Sequence, residues 1–272
     1  MNDLRNATIS NNFMFRLVME KPELCRQLLE RVLDVEIKDI FYPEGEKSLE
    51  AQLTSKGIRL DIYVTLADGT IIDVEMQAAE SSMVELAKRT RYYQSLMDND
   101  ALKKSSLYSQ LRKTIIIFIC TFDPFDMNLS KYTFKNMCTE NPDLYLEDDA
   151  YKIFINTHGD RHRISKALAN LMDYINGQEP SDDFTRQLDA EVELQKNDDG
   201  RRALYMVYSQ TLMEREYKGF QRGMEQGIEQ GMERGTLKTL YNLVKDGLIT
   251  NVEAAKRAGM SLEEFTKAVA ML

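Results

Sequence analysis

The spacing of apolar residues changes along the chain, and each change predicts a different element. Residues 13–33 have apolar side chains at three- and four-residue spacing, which predicts a helix that is kinked or restarted at Pro22. Residues 58–66 and 70–77 alternate apolar and polar side chains on either side of an Ala-Asp-Gly tripeptide, a pattern typical of a β-hairpin. Residues 113–122 form a continuous β-branched and aromatic run, which predicts a strand buried on both faces.

The other patterned segments extend this core. Strands are expected near residues 35–42 and over 151–156, and helices over 82–99 and 163–175. The predicted fold is therefore α/β, with a mixed sheet confined to residues 35–157 and helices on its faces.

Composition changes at about residue 179 and divides the chain into four predicted segments: an α/β domain over 1–178, an acidic linker or exposed helix over 179–200, a glycine-rich helix over 201–235 and a small helical tail over 236–272. Ser/Thr-x-x-Glu capping boxes begin at Thr250 and Ser261 of the tail, with Gly259 between them where a helix should end. The last helix is too acidic for a DNA-reading helix, so packing or assembly is the favoured interpretation.

Glycines recur every four residues from Gly219 to Gly235, and an apolar residue follows each of the first four, namely Phe220, Met224, Ile228 and Met232. Glycine costs a helix interior about 1 kcal/mol relative to alanine, so regular spacing indicates a surface for close helix contact. We therefore predict a homodimer through residues 205–235. The alternative is a flexible, poorly formed helix.

Net charge and cysteine usage limit the classes of function. The net charge of −9 argues against a surface that coats nucleic acid, although a local basic patch could still bind phosphates. No apolar run is long enough to cross a bilayer, the first residues lack a secretory pattern, and the three cysteines are scattered. These features predict a cytoplasmic protein with reduced thiols and no membrane contact.

Side-chain pairing predicts the register of the hairpin. A two-residue Asp68-Gly69 turn would set every apolar side chain against a polar one. A three-residue loop over 67–69, with Gly69 in the left-handed conformation, pairs apolar with apolar residues instead. The other face then sets Asp61 opposite Glu75, Tyr63 opposite Asp73, and Arg59 opposite Gln77.

Two carboxylates that face each other at a Cβ separation of about 4.5–5.5 Å destabilise a strand pair unless something neutralises them. Mg²⁺ is one such group, because it takes one or two carboxylates and completes its shell with water and phosphate oxygens. The alternative is a solvated polar face, on which Asp61 and Glu75 point into water or pair with Arg59.

These residues resemble the motif of the PD-(D/E)XK nuclease superfamily, in its Rpn-like branch of recombination-promoting nucleases and transposases, where glutamine commonly replaces the motif lysine. The resemblance covers roughly residues 10–160 and includes Asp61, the hairpin, DVEMQ (73–77), and the segments NNFMFRLVM, ELCRQLLERVL, RTRYYQSLMD, IIIFICTFDPF and YTF. It implies a restriction-endonuclease-like core with a helical C-terminal extension, and DNA cleavage that depends on Mg²⁺ or Mn²⁺.

By position, the resemblance implies that Asp61 and Glu75 bind the metal with the backbone carbonyl of Met76, and that Gln77 takes the place of the catalytic lysine. Asp73 shares their face. It could be a metal ligand, and it is explained equally well as a hydrogen-bond acceptor beside the metal ligands. Asn12 departs from the pattern, because the family often has aspartate before its first conserved phenylalanine. An uncharged amide there would weaken the metal site, and Gln77 can orient water but supplies no charge.

The segment after the motif is the most basic part of the chain, with seven basic residues against three acidic ones over 83–113. Arg89, Arg91 and Tyr93 are candidate DNA contacts. The alternative is a solvated helix face with one arginine paired to a carboxylate of the site.

The predicted function is a metal-dependent DNA endonuclease linked to recombination or mobile elements. The alternative is a catalytically weakened relative that acts as an oligomeric DNA- or protein-binding module. A purely structural helical protein would leave the acidic hairpin unexplained.

Overall fold

The protein, described over residues 3–42, 48–49, 58–102 and 105–270 by a computed structural model, divides into two compact units between Met206 and Val207. The first unit contains helices α1 (Asn12–Met19), α2 (Pro22–Leu33), α3 (Met83–Ala101), α4 (Lys166–Ile175) and α5 (Asp183–Asn197). Its strands are β1 (Ile40–Phe41), β2 (Ser48–Leu49), β3 (Ile58–Arg59), β4 (Ile62–Leu66), β5 (Ile71–Gln77), β6 (Thr114–Cys120), β7 (Lys131–Phe134) and β8 (Ala150–Asn156). Helix α6 (Asp199–Lys245) runs through the division, and α7 (Asn251–Arg257) and α8 (Leu262–Val269) follow it.

The first predicted helix restarts at Pro22, as the sequence indicated. The side chain of Asn11 caps α1 by accepting hydrogen bonds from the N–H groups of Phe13 and Met14. Pro22 begins α2, a position where its missing N–H costs nothing. Asp34 ends α2 in the left-handed conformation.

The main sheet has six strands in the order β1-β4-β5-β6-β8-β7, and it is mixed. Strands β5, β6 and β8 run parallel, whereas β1, β4 and β7 pair antiparallel with their neighbours. All residues of β6 are buried, which confirms the prediction of a strand covered on both faces. The α/β fold class, with a helical C-terminal region, is confirmed.

The predicted strand over residues 58–66 is interrupted. Ile58 and Arg59 form β3, which pairs with β2 in a separate two-stranded sheet, and β4 begins only at Ile62. The predicted backbone pairing of Arg59 with Gln77 is therefore wrong, since Arg59 pairs with Ser48.

Helix α3 covers one face of the sheet. Its residues Leu86, Tyr93 and Met97 form one buried cluster with Ile71, on β5, and with Ile116 and Phe118, on β6. Asp73 and Glu75 alternate with the same period as Ile71 and so lie on this covered face. The polar residues of the hairpin are thus enclosed by a helix.

The acidic stretch over 179–200 contains α5, which belongs to the first unit. Phe184, Leu188 and Val192 of α5 are buried, and α5 packs against α1 and α2. Of its acidic residues, Asp183 and Glu193 are exposed, whereas Glu191 is buried.

The helical tail has its own small core, which contains Leu237, Leu240, Ala254, Ala255 and Phe265. Thr250 and Ser261 cap α7 and α8 as the sequence predicted, and Gly259 has a φ of +71° between them. None of the described helices combines the length and apolar character needed to cross a membrane.

Candidate functional site

The turn of the hairpin sets the register of the two strands that carry the carboxylates. Gly69 has a φ of +89°, a conformation that glycine adopts without strain. Its N–H donates to the Leu66 carbonyl at 2.9 Å, and the Leu66 N–H donates to the Thr70 carbonyl at 2.8 Å, so residues 67–69 form the loop. The ladder then pairs Ile62 with Val74, Tyr63 with Asp73, and Val64 with Ile72, which confirms the predicted register over these residues.

The strand ladder ends where two carboxylates meet. Glu75 Oε1 accepts a hydrogen bond from the Asp61 N–H at 3.1 Å, and Asp61 Oδ2 accepts one from the Met76 N–H at 3.2 Å. Each carboxylate therefore binds a backbone N–H of the opposite strand, and these bonds replace regular pairing before Ile62. The side chains of Asp61 and Glu75 converge at one end of the hairpin.

The face that carries the carboxylates is buried. Asp73 is 0% exposed and Glu75 is 5% exposed, and neither oxygen of Asp73 has a hydrogen-bond partner among the described residues. Burial, followed by repulsion from Glu75 and Asp61, raises the pKa of Asp73 well above its ordinary value. Burial and repulsion from Asp61 raise the pKa of Glu75 to about 8. A solvated polar face is therefore wrong for Asp73 and Glu75.

Arg89 reaches from α3 into this acidic cluster. Its Nη1 donates to Gln77 Oε1 at 2.7 Å, and its Nη2 lies 3.4 Å from Glu75 Oε2 and 3.3 Å from the Tyr93 hydroxyl. The guanidinium also stands over the ring of Phe118, 4.9 Å from its centroid. Burial acts to lower the pKa of Arg89, but the Tyr93 hydroxyl and the carboxylates outweigh it and raise that pKa.

Gln77 is held at both ends of its amide. Its Nε2 donates to the Ala79 carbonyl at 2.6 Å, while its Oε1 accepts from Arg89. Because Arg89 can only donate, this contact also determines which end of the amide is the oxygen. These two contacts use one N–H and the oxygen of the amide, and the role of Gln77 in orienting water stays a prediction.

Helix α1 brings a second positive charge to the cluster. The charge of Arg16 opposes the rise of the Glu75 pKa. Asn12 lies four residues before Arg16 and so shares its helix face. Sequence reasoning overlooked Arg16, although its i, i+4 spacing from Asn12 could have indicated it; the role predicted for Asn12 stays a prediction.

The other candidate DNA contacts differ in exposure. Tyr93 is buried against Phe118, with ring centroids 6.3 Å apart, and burial raises the pKa of its hydroxyl to about 12. Arg91 is exposed on α3. Arg89 matches the alternative of one arginine paired to a site carboxylate, and DNA contact by all three residues stays a prediction.

A separate cavity of about 570 Å³ lies on the opposite face of the sheet, lined among others by Leu33, Ile115, Ile153 and Lys131. None of Asp61, Glu75 and Gln77 lines this cavity. The carboxylate cluster therefore remains the candidate site.

The donor set suits a hard cation with an incomplete protein shell. Among the described residues, no group of three or more His, Cys, Asp and Glu side chains is arranged to enclose a metal ion. Mg²⁺ does not need such a cage, because it keeps several waters and uses one or two carboxylates. Asp61 and Glu75 fit this requirement, and the buried Asp73 side chain lies on the same face with no hydrogen-bond partner for either oxygen among the described residues.

A family model described as PD-(D/E)XK nuclease family transposase matches residues 10–159, more than half of the chain. The chain belongs to this family. Membership indicates nuclease-type chemistry and DNA as the substrate, and nucleases of this class typically use divalent metals. No curated protein and no solved structure matches the chain.

Proposed function

We propose that this protein is a metal-dependent DNA endonuclease that hydrolyses phosphodiester bonds and acts in recombination or in the movement of mobile elements. The observation that carries the proposal is the convergence of Asp61 and Glu75 at the end of a buried hairpin face. Burial of carboxylates is costly unless a positive charge compensates it. Arg89 and Arg16 supply only part of that compensation, since the pKa of Glu75 is still raised.

Asp61, Glu75 and the Met76 carbonyl would hold Mg²⁺ or Mn²⁺. When bound, such a metal would lower the pKa of a coordinated water and neutralise negative charge on the phosphate. The two carboxylates are already positioned by backbone N–H groups of the opposite strand, so little reorganisation is needed when substrate binds. Gln77, held by Arg89 and the Ala79 carbonyl, orients the attacking water through its remaining N–H.

The exposed Arg91 on α3 is a further phosphate contact in this proposal. It lies on the helix that covers the carboxylate face, two residues after Arg89. A contact of this kind binds the DNA backbone without reading its sequence.

Plasmid nicking in Mg²⁺ tests the endonuclease proposal. Asp61→Ala and Glu75→Ala are expected to abolish nicking while circular dichroism remains that of the wild type. Asp183→Ala is the matched control, since Asp183 is exposed on α5 and pairs only with its neighbour Arg186 among the contacts described. Nicking by Asp61→Ala at the wild-type rate would refute the proposed site.

The same assay covers the alternative function. A wild-type protein that binds DNA but does not nick it in Mg²⁺ or Mn²⁺ would indicate a binding module rather than a nuclease. Asn12→Asp, which restores the acid common in the family, should then recover nicking if the missing charge is the cause.

A homodimer through the glycine-rich part of α6 is a further part of the proposal. Phe220, Met224, Ile228 and Met232 are 50–70% exposed. A Cβ built on any glycine from Gly219 to Gly235 meets no other atom within 4 Å, apart from the helix's own backbone. An exposed apolar ridge thus lies beside an open groove, and both repeat every four residues. Ridges with this repeat pack into grooves of a second helix at a crossing angle of about −50°.

Charges beside the ridge favour a parallel pair. One flank of the ridge carries Glu225, Glu229 and Glu233, one position after Met224, Ile228 and Met232, and the other flank carries the glycines. In a parallel two-fold pair, opposite flanks meet, so the glutamates face glycines. In an antiparallel pair, like flanks meet, so the glutamates face and repel one another.

Light scattering and cross-linking test the dimer. A monomer at micromolar concentration would refute it. In a Cys138→Ser background, a parallel pair brings residue 224 of one chain beside residue 224 of the other. Met224→Cys chains are therefore expected to form a disulfide between the two copies. Cross-linking only in a mixture of Met224→Cys and Met232→Cys chains would contradict the parallel arrangement.

A further inference from the structure

Arg89 makes its shortest hydrogen bond to a neutral amide although a carboxylate lies within reach. The guanidinium is 2.7 Å from Gln77 Oε1 but 3.4 Å from Glu75 Oε2. A guanidinium placed only to neutralise Glu75 would bind the carboxylate in the bidentate, fork-like geometry typical of such pairs. The observed arrangement joins Arg89 and Gln77 and leaves Glu75 more weakly paired.

Aromatic rings and a hydroxyl hold the guanidinium in this position. Arg89 stands over Phe118 and Tyr93, 4.9 and 5.5 Å from their ring centroids, and Nη2 also bonds the Tyr93 hydroxyl. The side chain is nevertheless 27% exposed, so part of its charge can act on a group outside the protein. The position of the charge is therefore defined before any substrate arrives.

We propose that Arg89, from α3, supplies the positive charge that the superfamily motif carries on its lysine, so that Gln77 and Arg89 together replace that lysine. This inference rests on the proposed nuclease function. Through its bond to Oε1, Arg89 acts as a positioning residue for the Gln77 amide, and its charge stabilises negative charge that develops on the phosphate. The same charge competes with a metal ion for Glu75.

Three variants test the inference. Arg89→Gln removes the charge, Arg89→Lys keeps the charge but loses the planar fork, and Gln77→Lys/Arg89→Gln moves the charge to the motif position. Arg186→Gln is the matched control, because Arg186 is an exposed arginine on α5. Circular dichroism and thermal unfolding establish that each variant is folded.

Arg89→Gln is expected to lower the nicking rate about 10²- to 10³-fold, the loss typical of one preorganised electrostatic group. Arg89→Lys should lie between this variant and the wild type. The double variant should recover at least about tenfold over Arg89→Gln, a rescue that a purely structural role for Arg89 would not produce. Nicking by Arg89→Gln within threefold of the wild type, or a double variant no better than Arg89→Gln, would overturn the inference.

Calorimetric titration with Mn²⁺ tests Arg89 without reference to cleavage. Because a competing cation is removed from Glu75, Arg89→Gln should bind Mn²⁺ at least about fivefold more tightly, although it nicks more slowly. Equal or weaker Mn²⁺ binding would overturn the inference. A wild-type protein that binds Mn²⁺ but nicks no DNA would instead refute the proposed function, and the titration of Arg89→Gln would still test the contact with Glu75.

Discussion

Replacement of Glu75 by glutamine should stabilise the metal-free protein while it removes nuclease activity. Glu75 is 5% exposed, and its nearest partners include a second carboxylate on Asp61. Glutamine keeps an oxygen that can accept the Asp61 N–H. It avoids placing a charge in the buried face, but it loses the charge contact with Arg89.

The magnitude follows from the pKa of Glu75, which is about 8 in the folded protein against an ordinary 4.5. The folded state holds this proton more tightly than the unfolded state, so stability falls as pH rises from about 4.5 to about 8 and is constant above that. At pH 7.5, the raised pKa of Glu75 lowers the free energy of unfolding by about 4 kcal/mol, at ~1.36 kcal/mol for each unit of pKa shift that lies below this pH. At pH 5, this decrease is below about 1 kcal/mol. That pKa already includes the attraction of Arg89, so the expected gain in stability is up to about 4 kcal/mol at pH 7.5 and below about 1 kcal/mol at pH 5.

Thermal unfolding in EDTA, at both pH values, measures this difference. A gain of 1 kcal/mol raises the Tm by about 2–4 °C for a unit of this size. Addition of Mg²⁺ should reverse the order, because a ligand that binds only the folded state stabilises the wild type and has no complete site in Glu75→Gln. Glu179→Gln, at an exposed position, is the matched control.

A Glu75→Gln protein with a lower Tm than the wild type in EDTA at pH 7.5 would refute the reasoning. It would mean that the Arg89 and Asp61 contacts outweigh the cost of burying the charge. An equal difference at pH 5 and pH 7.5 would also contradict the account, since the cost of ionisation must depend on pH.

Three other substitutions test separate parts of the molecule. Gln77→Ala should slow nicking without removing Mn²⁺ binding in calorimetry, because Gln77 positions water but is not a proposed ligand; loss of metal binding would contradict this role. Gly69→Ala should destabilise the protein by about 1–2 kcal/mol in urea unfolding, since its φ of +89° strains any residue with a Cβ, although the space there is sufficient. Arg91→Gln should weaken DNA binding and reduce the slope of log affinity against log salt by about 1, whereas an unchanged slope would exclude a phosphate contact.

Much of the fold could be predicted from the sequence because its patterns are local. Apolar side chains at helical spacing and Pro22 indicate the restart between α1 and α2, and a continuous β-branched run indicates the buried β6. The break before Ile62 could not be predicted, because residues 58–66 alternate without interruption. In the structure, the Asp61 carboxylate takes the N–H of Met76, which a regular ladder would have given to a backbone carbonyl.

The sequence by itself determined the register of the hairpin, because only a three-residue loop with Gly69 in the left-handed conformation pairs apolar side chains with one another. It also determined that Asp61 and Glu75 approach each other, since the period of a strand is two residues. Alternation could not decide whether the polar face is solvated, because a strand with water on one face and a strand beneath a helix share the same pattern. The docking of α3 decided this: it buries Asp73 and Glu75 and brings Arg89 to Gln77. Burial and the pairing of charges depend on which elements pack together, and that information lies in contacts between segments rather than within one of them.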